Sequence, residues 1–162
     1  MDILKRFLFA LGVVLLTLNI YGLFKSMRNP DIYKEENTLH NRIGDITIRY
    51  PEVNDLLLRR QGESNRDFAV RINKVVADGF SHYWKKEGIV KYNIRVPAWE
   101  NYLLYAAAYV DPETYGMYEF TDYRKNLERG VGLCSSHAIV VKGVLNDNVM
   151  NASLWDIAGH VV

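Results

Sequence analysis

The chain has 162 residues, 49% of them hydrophobic, with 20 basic and 19 acidic side chains and a formal charge of +1, which allows one domain plus an appendage. Its cations are interspersed with its acids rather than gathered in a stripe, so the electrostatic footprint of a nucleic-acid binder is absent. A single cysteine excludes an internal disulfide and a Cys-based zinc site.

Residues Phe7 to Phe24 form an uncharged, largely apolar run between Lys5-Arg6 and Lys25. With snorkelling flanks that run suffices to cross a bilayer, and it predicts a transmembrane anchor over 1–25. A cleaved signal peptide is the competing reading, but Tyr21-Gly22-Leu23-Phe24-Lys25 offers no small-x-small cleavage site, which favours retention. Basic residues flank both ends; the expected orientation is N-terminus inside, with the remainder of the chain outside the cytoplasmic membrane.

A polar linker over 26–44 follows, with Asn29-Pro30-Asp31 as a turn, and then a domain over 45–162. Ile46, Ile48 and Tyr50 alternate with polar residues and predict a short strand ending at Pro51, followed by a short helix to about Arg60. Ser64 and Asp67 make a start like a capping box, and Phe68, Ile72, Val75, Val76 and Tyr83 share one face of a helix expected from Asn65 to Lys85. Gly88 ends it, Ile89 to Val96 reads as extended, and Pro97 opens a helix running to Val110 with an aromatic-rich face. Asp111-Pro112 stops that helix, and another begins near Thr121 and closes at Gly130.

The chemistry concentrates after Gly130. Cys134 follows Gly130-Val131-Gly132-Leu133 and precedes a stretch with apolar residues at helical spacing, which places it at a helix N-terminus. Free backbone N–H groups and the helix dipole there favour a thiolate, the form that attacks a carbonyl carbon. The two glycines permit a sharp turn into the helix and close approach of a substrate. Met150 to Ile157 reads as a strand, Ala158-Gly159 as a turn, and His160 opens a second strand that could return beside the helix to Cys134. A small buried cysteine and a hydrogen-bonded strand histidine are the plain structural alternatives. His82 and His137 match no zinc spacing, so neither metal nor cofactor is expected. The acceptor triplet Asn151-Ala152-Ser153 falls in the expected strand.

The run Gly130 to Ala138 with Gly159-His160-Val161-Val162 resembles the core of the transglutaminase-like superfamily, a papain-related Cys-His-Asp fold. The resemblance implies an α+β domain, helices packed on a small antiparallel sheet, with Cys134 as nucleophile, His160 as general base and a peptide or protein amide as substrate. The orienting Asp of that family has no counterpart after His160, so the sheet is expected to be incomplete at the C-terminus and the chain to be a fragment with little or no activity. Asp156 and Asp147 are the nearest carboxylates that could substitute. Two other readings stand beside this one: a non-catalytic membrane-tethered interaction module, and a cell-wall cysteine amidopeptidase.

Overall fold

A computed structural model of the chain describes residues 2–25, 48–82, 95–116 and 119–161. The expected linker, Tyr83, the helix stop at Gly88 and most of the extended run before Val96 lie outside these residues.

Helix α1, Ile3–Phe24, is 22 residues long with no buried residue. At about 1.5 Å per residue it spans roughly 33 Å, enough for a hydrocarbon core of about 30 Å. The hydroxyl of Thr17 donates to the Val13 carbonyl at 2.8 Å, so this polar side chain is satisfied within the helix.

Helix α2, Tyr50–Leu56, begins where a strand was expected to end, because Pro51 sits in its first turn with φ already suited to a helix. Helix α3, Asn65–Gly79, starts as the sequence predicts: the Ser64 hydroxyl accepts from the Asp67 N–H at 3.1 Å and donates to its carboxylate at 2.6 Å. Phe68, Ile72, Val75 and Val76 are its buried face. Arg71 leaves the same helix sideways and donates to the carbonyls of Leu56 and Leu58, which the end of α2 leaves without helical partners. It also forms an ion pair with Glu63 at 2.7 Å.

Helix α3 ends at Gly79, short of the expected Lys85, because tertiary pairing takes over. Phe80 turns to an extended conformation, the Ser81 N–H donates to the Gly130 carbonyl at 2.9 Å, and β1 (Ser81–His82) pairs in parallel with β2 (Val131–Gly132). The buried Ser81 backbone is satisfied by this pairing rather than by another helical turn.

The helix expected from Pro97 begins later, at Tyr102. Pro97 to Asn101 form a turn, and the Asn101 side chain accepts from the N–H groups of Leu103 and Leu104, capping α4, Tyr102–Val110. Asp111 caps a further turn, α5, Pro112–Tyr115. Helix α6, Tyr123–Arg129, lies close to its predicted span, between an Asp122 cap and Gly130 at φ 69°. Helix α7, Cys134–Asp147, packs on α3 and α6. Phe68, Ile72, Val76, Phe80, Leu127 and Val140 form the centre of the core between these elements. Each large apolar side chain there contributes about 1.5–3 kcal/mol by leaving water.

The strand expected from Met150 shrinks to β3, Asp156–Ile157, which pairs antiparallel with β4, His160–Val161. Among the described residues the α+β class therefore takes a mostly helical form. Two separate two-stranded sheets, one parallel and one antiparallel, replace the single antiparallel sheet expected.

Candidate functional site

Cys134 is the first residue of α7, half-buried, after Leu133 in an extended conformation. It opens onto a cleft of about 390 Å³ whose walls include His137, Val141 and Lys142 of α7, Ser153 and Leu154 of the following loop, and Val161 of β4. His137, one turn beyond Cys134, stands edge-on to Phe80 with ring centroids 6.2 Å apart. A second, more polar cleft of about 550 Å³, bordered by Glu119, Asp122, Arg124 and Asp147, shares Lys142 and Leu154 with the first.

The glycines before Cys134 divide their tasks. Gly130 takes the left-handed conformation that ends α6. Gly132 leaves room for the protein itself rather than for a ligand: a Cβ there would come within 2.5 Å of the Ser136 hydroxyl.

Strand β4 packs against α7, so the chain does return to the helix that Cys134 begins. Register then decides which side chain faces the cleft. Successive strand residues point to opposite faces, and Val161 lines the cleft while His160 is exposed to solvent. Among the hydrogen bonds of the described residues, none joins Cys134 to His160. Asp156 pairs across from Val161 and Ile157 across from His160, which sends the Asp156 carboxylate and the His160 imidazole to opposite faces of the hairpin. Asp156 accepts instead from the Gly159 N–H at 3.1 Å, inside the turn. Asp147 is held by the Tyr123 hydroxyl at 2.6 Å and by Arg124 at 2.5 Å. Burial, then this hydrogen bond to Asp147, push the Tyr123 phenol up to about 12.

The charge at the start of α7 comes from a residue that sequence reasoning passed over. Glu119 accepts from the Ser135 hydroxyl at 2.5 Å and from the Ser136 hydroxyl at 2.6 Å, and Ser136 accepts in turn from the Leu133 N–H at 3.3 Å. A carboxylate thus occupies the positive end of the helix beside Cys134. Asn126, buried in α6, positions that segment: its side chain accepts from the Phe120 N–H at 3.1 Å and donates to the Phe120 carbonyl at 2.6 Å. Two serines in the first turn of a predicted helix were a visible signal for hydroxyl chemistry, but their partner lies 16 positions from Ser135 and nothing local marks it.

No group of three or more His, Cys, Asp or Glu among the described residues could hold a metal ion. Comparison with protein-family models, curated proteins and solved structures found no match.

Proposed function

We propose that this chain is a membrane-anchored cysteine enzyme of transglutaminase-like type, acting on a peptide or protein amide. The observation that carries the reading is the position of Cys134, the first residue of a 14-residue helix, in the wall of an open cleft. Its thiolate attacks the amide carbonyl, the Cys134 backbone N–H helps to hold the oxyanion, and the amine leaves with the proton that the thiol gave up to His160. Water or a second amine then resolves the thioester. His160 is the base in this reading, and its exposed ring lies on the face of the strand opposite the cleft that Val161 lines. Among the described residues Asp156 lies on the opposite face of the hairpin from His160 and bonds within the turn, so it does not orient the imidazole. Helix α1 tethers the domain as a single pass through the cytoplasmic membrane, with the domain on the outer side.

A second reading, a tethered non-catalytic module that uses the cleft only for binding, draws support from the exposure of His160 and from the engagement of Asp156 in the turn. Alkylation separates the two. Cys134 is the only cysteine, so iodoacetamide at neutral pH reads it without background. The enzyme reading expects Cys134 to react several-fold faster than free cysteine and to lose that advantage in His160→Ala. Equal rates for Cys134 and free cysteine, unchanged by the substitution, would leave the binding module.

A further inference from the structure

One side of the last turn of α1 meets the domain, while Leu23 and Phe24 stay exposed. Tyr21 meets Trp99 edge-on with ring centroids 6.0 Å apart, and the Lys25 ammonium lies over the Tyr21 ring, 5.6 Å from its centroid. Gly22 makes the approach possible: a Cβ there would lie 2.5 Å from the Trp99 carbonyl oxygen. The turn that carries Trp99 is therefore seated against the end of the apolar helix.

Helix α4 starts three residues beyond Trp99 and contains no charged residue in its nine, Tyr102–Val110. Only Ala108 of this helix is buried. Leu103 is 71% exposed and Val110 is 88% exposed, and with the exposed Ala106 between them they recur at spacings of three and four, one continuous stripe on one side of the helix. Tyr109 borders the stripe, and the Arg95 guanidinium lies over its ring at 4.4 Å from the centroid. Helix α4 lacks the charged face of a typical amphipathic interfacial helix; what points to the bilayer is its outward apolar stripe, edged by tyrosines and an arginine, side chains that favour the level of lipid headgroups. Tryptophan, tyrosine and snorkelling cations at the end of a bilayer-crossing helix mark the same depth.

We infer that α4 is an interfacial helix, its Leu103-Ala106-Val110 stripe inserted at the boundary between headgroups and acyl chains of the bilayer that α1 crosses. The inference rests on the reading of α1 as a membrane anchor. Its argument is continuity: the surface next to the stripe is in direct contact with the end of that anchor, so insertion of α1 brings the stripe to the lipid. The domain is then held against the membrane at two points, and the substrates it meets are membrane-proximal.

The test uses the full chain with Cys134→Ser, reconstituted in phosphatidylcholine–phosphatidylglycerol vesicles and labelled with an environment-sensitive fluorophore at one introduced cysteine. Leu103→Cys and Val110→Cys report on the stripe, Leu16→Cys on the middle of α1, and Val149→Cys, at a position 96% exposed at the far end of α7, on water. Labels at 103 and 110 are expected to be quenched by lipids brominated near the headgroup and to show several-fold weaker iodide quenching than the label at 149. If 103 and 110 are as open to iodide as 149 while 16 is quenched by lipids brominated deep in the chain, the interfacial helix is overturned and the anchor stands. If 16 is also open to iodide, both fall.

Discussion

Asn126 clamps the segment whose Glu119 carboxylate reaches the serines after Cys134, and its removal can be priced from the structure. Its amide makes both hydrogen bonds to the backbone of Phe120, at 3.1 and 2.6 Å, and both Asn126 and Phe120 are buried. Asn126→Ala removes the partner of a buried donor and of a buried acceptor, each worth about 1–3 kcal/mol when left unsatisfied. A net loss of about 3 kcal/mol is expected, which at about 2.1 cal/mol/K of unfolding entropy per residue lowers the melting temperature of a domain over 45–162 by roughly 12 °C. Asn126→Asp sharpens the test because it keeps the shape. The ionised carboxylate still accepts from the Phe120 N–H but repels the Phe120 carbonyl, whereas the protonated form can donate to it. Burial and that carbonyl raise the folded-state pKa of the new carboxyl above its unfolded value of about 3.9. The stabilising proton is therefore bound at low pH and lost as pH rises through the folded pKa, so the deficit against wild type should narrow on acidification from neutral pH. Unfolding in detergent micelles, followed by tryptophan fluorescence for wild type and both variants, measures these differences. A deficit under about 1 kcal/mol for the Ala variant, or a pH-independent deficit for the Asp variant, would refute the clamp.

Two further outcomes follow from the same reasoning. The hydrogen bond from Arg71 holds the Glu63 carboxyl at about 2, below its ordinary 4.5. A depressed pKa means stability that is present above the unfolded value and lost as pH falls, so wild type should weaken between about pH 4.5 and 2. Glu63→Gln should lack that part of the acid dependence, and identical acid titrations of stability would contradict it. In the β3–β4 turn both Ala158, at φ 51°, and Gly159, at φ 89°, are left-handed, the conformation of a type I′ hairpin turn. Ala158→Asn supplies a residue suited to that conformation and relieves about 1 kcal/mol of strain; amide exchange in the hairpin should slow, and faster exchange would count against the turn assignment.

Where the sequence carried a local physical signal, it was readable in advance. The buried face of α3 follows from a Ser64 cap and apolar residues at helical spacing, and the end of α6 from Gly130, because both effects operate within a few residues along the chain. The fold departs from these local signals where a distant partner competes. The parallel pair of Ser81–His82 with Val131–Gly132 ended α3 early, and strands of two residues have no alternation to detect. Helix α4 began late because Pro97 serves a turn against α1 and Asn101, not Pro97, supplies the cap.

The same division runs through the candidate site. A long uncharged apolar run is sufficient to specify α1, and glycines followed by helically spaced apolar residues are sufficient to put Cys134 at the head of α7, since helix formation is a matter of neighbours three and four positions apart. Which face of β4 meets that helix is another matter. A strand repeats every two residues, so a shift of one position exchanges His160 for Val161 at the cleft, and the choice is made by the turn and by packing against α7. The Glu119 carboxylate reached the serines beside Cys134 in the same way, through a buried Asn126 clamp that only the folded chain assembles.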